Sequence, residues 1–166
     1  MLSTLDEMPK PLIGRIQGNA WGGGLGLISV CDLAIAAEGV RFALTETRLG
    51  LIPATIGPFV LRKTGPGMGR QIFFTGATFG TDFALRSGLL YQACPAADLD
   101  QHIAEITTAV LRTTPGAVAM AKEFCRDPAV PGPDGAALSV AALARCWEGE
   151  EAQSRITAFL SRSETR

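Results

Sequence analysis

Gln17-Gly18-Asn19-Ala20-Trp21-Gly22-Gly23-Gly24 leads directly into Leu25, Leu27, Ile28 and Val30. The imperfect alternation of Leu12–Gln17 before it predicts a strand ended by Gly18-Asn19, and the apolar run after it predicts a short helix. Three glycines at a strand-to-helix junction let another group approach the backbone closely. The first helical amides there point outward with the positive end of the helix dipole. Such a junction suits an oxyanion. A glycine triplet alone is weak evidence for it, and by itself reads first as a tight turn or close packing.

Working outward, Leu33–Ala37 and Arg41–Leu44 are short strand candidates around the turn at Glu38-Gly39. Toward the N-terminus, Met1–Met8 reads as the end of a helix stopped by Pro9 and Pro11, which cannot continue the hydrogen-bond ladder. Toward the C-terminus, Gly57-Pro58 opens a helix that runs to Lys63 before Gly65, with proline placed where no amide donor is needed. Two more short helices follow, Gly67–Thr75 and Thr81–Ser87, closed by Gly76 and Gly88, and Leu89–Cys94 returns as a strand. Leu99, Ile103, Ile106 and Val110 then mark one face of an amphipathic helix whose other face carries Asp100, His102 and Glu105.

Pro115 opens a helix to about Cys125. Asp127–Gly135 gathers Pro128, Pro131, Pro133, Gly132 and Gly135 into a linker. Ala136–Trp147 and Glu150–Leu160 form a helical tail in which Ile156, Phe159 and Leu160 make an apolar stripe. Strands fall mainly in the first half and helices in the second, the order of an α/β core capped by a helical segment. The expected division is therefore core 1–126, linker 127–135 and helical cap 136–166.

Composition narrows the function classes. The chain has 166 residues, 47% hydrophobic and 19% charged, with 15 basic and 16 acidic side chains and a formal net charge of −1. That is one domain's worth of globular chain, with no electrostatic footprint for nucleic acid or an anionic membrane. Cys31, Cys94, Cys125 and Cys146 stand far apart without a CxxC pair, and the single His102 cannot complete a Cys/His zinc set. They read as free thiols in a reducing compartment, and no metal site is expected. Met1–Pro11 lacks the basic and apolar regions of a secretory signal, and no apolar run reaches the ~20 residues of a membrane span. The expected location is the cytoplasm.

Few side chains offer chemistry. Glu46 lies between apolar strings in Phe42-Ala43-Leu44-Thr45-Glu46-Thr47-Arg48-Leu49-Gly50, where a carboxylate near a pocket can exchange a proton. Taken alone it reads as a helix cap or an Arg48-paired surface residue before it reads as an acid/base. His102, by its helical spacing, is a solvent-facing structural histidine, and Trp147 and Phe159 read as core. Asp32 is as apt to close a helix or bind backbone amides as to catalyse. GxSxG, the P-loop and the dinucleotide GxGxxG are absent, and a serine triad has no histidine to use.

The combination is more specific than its parts. Lys10-Pro11-Leu12-Ile13, Gln17 to Gly24, Cys31-Asp32-Leu33-Ala34-Ile35-Ala36-Ala37, Phe42, Glu46 and Leu49-Gly50-Leu51-Ile52-Pro53 closely resemble, in order and spacing, the enoyl-CoA hydratase/isomerase (crotonase) family. Phe74-Thr75-Gly76, Ala84, Gly88-Leu89-Leu90 and the tail from Glu150-Glu151-Ala152-Gln153 to Ala158-Phe159-Leu160 continue the likeness. The resemblance implies a crotonase-like (ClpP/crotonase) ββα core, partial here, with a C-terminal helical segment. Roughly the first third of a family member has no counterpart, including part of the adenine-binding loop and the first oxyanion-hole amide. A serine hydrolase on the related ClpP-like architecture lacks its Ser-His pairing.

By the same resemblance, Gly23 matches the second oxyanion-hole position and Glu46 the second catalytic glutamate, while Trp21, Gly22, Ile52 and Pro53 line the substrate. Two departures matter. The first catalytic glutamate of two-glutamate members falls at Gly26, and the glycine-rich run after Ile-Pro is here Ala54-Thr55-Ile56-Gly57-Pro58-Phe59-Val60. Both look like the branch that hydrates methylglutaconyl-CoA and related carboxylated acyl-CoAs in leucine degradation. Single-glutamate double-bond isomerases are the nearest competitors, and a shortened, inactive crotonase-like subunit is a third reading. The implied partner is an acyl-CoA, with coenzyme A part of the substrate and no separate cofactor. The implied assembly is a homotrimer or homohexamer, without nucleic acid or membrane.

Overall fold

The computed structural model describes residues 1–126 and 133–163. The chain forms two compact units, one of Met1–Met8 and Leu12–Thr108, the other of Pro9–Pro11 and the residues from Ala109 onward. The first unit holds every strand found among the described residues. In chain order its elements are α1 (Leu2–Glu7), β1 (Ile13–Ile16), β2 (Ala20–Trp21), α2 (Gly23–Ser29), β3 (Leu33–Ala37) and β4 (Phe42–Ala43). After them come a 3-10 turn at Glu46–Leu49, α3 (Gly57–Thr75), α4 (Thr81–Arg86), β5 (Gln92–Cys94), a 3-10 turn at Ala96–Asp98 and α5 (Leu99–Leu111).

All strand pairs are parallel. One sheet has the order β1-β3-β5, with Ile13 opposite Leu33 and Ala37 opposite Cys94, and a second pairs β2 with β4, Ala20 opposite Phe42 and Trp21 opposite Ala43. Parallel strands need crossover connections, and α2 supplies the one between β1 and β3 together with the short β2. The β3 sequence Leu-Ala-Ile-Ala-Ala is apolar throughout because it is the central strand, buried from Ala34 to Ala37. Leu25, Ile35, Phe42, Leu44, Val60, Leu89 and Leu99 are the largest fully buried side chains, and each contributes on the order of 1.5–3 kcal/mol by leaving water. Phe42 also bridges to Phe79 through paired backbone bonds, and its ring stacks on Phe79 at a centroid distance of 5.6 Å.

Several boundaries differ from the sequence expectation for definable reasons. The two helices expected at 57–63 and 67–75 are halves of one kinked α3, broken at Gly65, whose φ of +73° leaves the helical region just before Pro66. His102 is not a free solvent-facing ring: it is half-buried, with Nδ1 3.1 Å from Gln92 Nε2 and 3.4 Å from Glu105 Oε2. Asp32 binds backbone, its Oδ2 accepting from Leu12 N–H at 2.6 Å. Arg15 Nε donates to Asp100 Oδ1 at 2.6 Å, which holds the Asp100 carboxyl below its ordinary value. Burial, with the nearby charges of Asp98 and Glu38, pushes the Cys94 thiol up.

The second unit contains α6 (Pro115–Arg126), α7 (Pro133–Trp147) and α8 (Glu150–Ser163). Residues 127–132 of the expected linker lie outside the described residues, and α7 takes up the remainder from Pro133. Glu151 Oε2 accepts from Gly116 N–H at 2.8 Å and so ties α8 to the open first turn of α6. Within the expected stripe, Ile156 is half-buried while Phe159 and Leu160 are exposed on the single chain. Trp147, expected as core, is also exposed. Among the described residues no helix is long and apolar enough to cross a membrane.

Candidate active site

The site forms where the β2–β4 pair releases two segments side by side. Pairing Ala20 with Phe42 and Trp21 with Ala43 aligns the strand ends, and Gly22 N–H extends the pairing to Ala43 C=O at 3.1 Å. From there one segment starts α2 at Gly23, and the other passes Leu44 and Thr45 to open the 3-10 turn at Glu46. The junction between them is narrow: a Cβ added to Gly22 would lie 3.5 Å from Glu46 Oε1. Gly22 has φ +48° and ψ −115°, a conformation closed to residues with a side chain. Glycine at 22 is therefore a condition of both the turn and the carboxylate's position.

Gly23 is the first helical residue, so its N–H has no partner within α2. It is exposed, with open space in front of it. Glu46 stands across the gap in a half-buried position, and its Oε2 is a buried oxygen without a hydrogen-bond partner. A buried carboxylate oxygen without a donor is costly for folding alone, and a reacting molecule can supply the missing proton or donor. Arg48 does not pair with Glu46, since its Nε turns toward Thr75 C=O at 3.5 Å. The ion-pair alternative for Glu46 is thereby set aside, while Glu46 does open the 3-10 turn as its first residue, without a side-chain cap bond at Thr45.

The other residues expected at the site divide. Trp21 is exposed on the strand end beside Gly22 and can meet a ligand there. Ile52 is exposed on the segment that leaves the 3-10 turn, which is closed back on itself by Leu51 N–H to Glu46 C=O at 3.0 Å. Pro53 is buried, and its C=O accepts from Gly57 N–H at 2.6 Å, so it shapes the entry to α3. Among the described residues no group of three or more His, Cys, Asp or Glu side chains could hold a metal ion.

Gly26 is buried one turn further along α2, and a Cβ there would come within 2.6 Å of Ile56 Cγ2 and 3.0 Å of Ile56 Cβ. Such distances require Ile56 to move, and Ile56 is itself buried at the start of α3. The space beside Gly26 is filled by an isoleucine, and no carboxylate can enter without repacking the α2–α3 contact. Neither the contact of Ile56 with Gly26 nor the bond from Thr47 Oγ1 to Phe73 C=O, 2.8 Å long, carries any periodic or compositional signal. Only the approach of α3 reveals them.

An α/β unit of short parallel strands, with a glycine-rich helix start beside the turn that bears Glu46, is the arrangement of a crotonase fold, and the comparisons with known proteins show that class. The family model for enoyl-CoA hydratase/isomerase matches residues 1–165, and the chain belongs to that family. It is 31% identical over 160 residues to the short-chain-enoyl-CoA hydratase of Clostridium acetobutylicum, covering 95% of this chain and 61% of the relative. It is also 31% identical over 126 residues to the carnitinyl-CoA dehydratase of Escherichia coli K12, covering 75% of this chain and 48% of the relative. Among solved structures, an enoyl-CoA hydratase from Shewanella pealeana superimposes with a TM-score of 0.88 at 34% identity, over 97% of this chain and 61% of that one. The chain thus spans about three fifths of the length of the first and third of these proteins.

Proposed function

We propose that the chain adds water to a 2-enoyl-CoA through an enolate held by backbone amides, with Glu46 as its one side-chain acid/base. The observation that carries this reading is the buried, unpartnered Oε2 of Glu46, whose other oxygen lies 3.5 Å from where a Cβ on Gly22 would stand, at the residue before the first helical amide of α2. As water adds at Cβ and a proton is delivered to Cα, negative charge develops on the thioester oxygen. An amide aimed at that oxygen stabilises the charge without reorganising. Glu46 takes a proton from the attacking water as its oxygen bonds to Cβ and returns that proton to Cα, so one carboxylate serves both transfers and ends as it began. Trp21, Gly22 and Ile52 flank the acyl group, and coenzyme A enters as part of the substrate, with no separate cofactor.

The preferred substrate in this reading is a carboxylated, branched 2-enoyl-CoA such as methylglutaconyl-CoA. One feature supports it: position 26 offers no second carboxylate to repel the substrate's own, since Ile56 occupies the space beside Gly26. The same packing favours one other reading, a double-bond isomerase, which needs only one carboxylate to move a proton between carbons. Hydration of methylglutaconyl-CoA, compared with crotonyl-CoA and with isomerisation of a linear 3-enoyl-CoA, separates them. Methylglutaconyl-CoA as the best substrate supports the proposal. Preference for the 3-enoyl substrate transfers the assignment to the isomerase.

The proposed working form is a homotrimer or homohexamer in the cytoplasm. The exposed apolar side chains of α7 and α8, Leu138, Val140, Leu143, Trp147, Phe159 and Leu160, support assembly because a monomer rarely leaves so many uncovered.

A further inference from the structure

The 3-10 turn that bears Glu46 is also the cap of α3. An α-helix leaves its last four carbonyls without intrahelical donors. At the end of α3, Gly76 N–H takes Ile72 C=O at 3.2 Å, Thr47 Oγ1 donates to Phe73 C=O at 2.8 Å, and Arg48 Nε reaches Thr75 C=O at 3.5 Å. Two of the three donors therefore come from the two residues that follow Glu46. Arg48 also places its charge at the negative end of the helix dipole. The Thr47 bond is partly buried, while the Arg48 contact is exposed and long, so Thr47 is the firmer anchor. Its acceptor is fixed in turn, because the Phe73 ring packs at the core and would touch a Cβ on Gly57 at 3.4 Å.

Backbone bonds close the turn on itself, Leu51 N–H to Glu46 C=O and Arg48 N–H to Thr45 C=O, both at 3.0 Å, and the Thr47 hydroxyl is the firmer of the two side-chain bonds that tie the closed turn to α3. Glu46 Oε2 has no hydrogen-bond partner, so the direction of the side chain is inherited from the backbone of its turn. We infer that Thr47 is a positioning residue: its hydroxyl, bonded to Phe73 C=O at the end of α3, fixes the turn that aims Glu46 into the site. The inference rests on the reading of Glu46 as the acid/base. It adds that the carboxylate's placement depends on a helix end some 27 residues along the chain, at roughly the precision catalysis needs.

The test compares Thr47→Val, which keeps shape and loses the donor, with Thr47→Ser, which keeps the donor, in the 166-residue chain. Thr108→Val serves as a control that loses an exposed helical hydroxyl bond. Thr47→Val is expected to lower kcat by roughly 10- to 100-fold with KM within about twofold, because small misplacements of a reacting group cost on this scale. Thr47→Ser restores the rate, and Thr108→Val leaves it unchanged. Hydrogen exchange of amides 45–51, measured by mass spectrometry, should rise in Thr47→Val and return in Thr47→Ser. Unchanged exchange and an unchanged kcat in Thr47→Val overturn the positioning role. So does a loss of rate that Thr47→Ser shares, which marks a packing effect. Glu46→Gln is run in parallel: if it keeps full activity, the reading of Glu46 itself fails, whatever Thr47 does.

Discussion

Glu46 and Gly26 show how much one side chain, or its absence, decides. Glu46 is legible in the sequence only through the company it keeps, since alone it reads first as a cap or a partner of Arg48. The structure separates these readings by turning Arg48 toward Thr75 and leaving Glu46 Oε2 without a partner. Gly26 was visible as a missing carboxylate, but its cause was hidden, because Ile56 arrives from 30 positions further on. Restoring a carboxylate at 26 is then a test of packing as well as chemistry. Gly26→Glu should bring no large gain in hydration of methylglutaconyl-CoA, and should lower stability by roughly 1–3 kcal/mol through overpacking, read by denaturant melts. A large rate gain with unchanged stability would show that the space beside Gly26 is open.

Elements were read best where periodicity had room to show. The spacing of Leu99, Ile103, Ile106 and Val110 identified α5, and the apolar run of β3 identified a central strand. Short elements set by pairing were less clear: β2 and β4 have two residues each, too few for any pattern, and exist because their backbones bond to one another. His102 was placed on a free face because helical spacing says nothing of Gln92, which the β3–β5 pairing brings alongside. The Arg15–Asp100 bond joins β1 to α5 and predicts a pH dependence. Asp100 is held below its ordinary value by Arg15, so the unfolded chain binds more protons than the folded one between the two values. Its contribution is present above the unfolded carboxylate range, near ~4, and is lost as pH falls through the lower folded value. Arg15→Ala should reduce Tm slightly at pH 7, with the difference from wild type closing as the pH is lowered below ~4. A difference that grows on acidification would contradict the assignment.

At the scale of the whole molecule, the α/β unit and the helical unit divide the labour. The first carries Trp21, Gly22, Gly23 and Glu46 on the β2–β4 pair and the segments that leave it, and the second exposes apolar side chains on α7 and α8. Family resemblance ran the length of the chain, yet it could not say that the Glu46 turn and the end of α3 are one structure. In the proposed mechanism a single carboxylate, held on that joint, moves the proton. Glu46→Gln keeps size and shape while removing the base, so it addresses that role directly. In steady-state hydration of methylglutaconyl-CoA by the 166-residue chain, the substitution should lower kcat by about 10²–10⁴-fold with only a modest change in KM. Undiminished hydration by Glu46→Gln would contradict it.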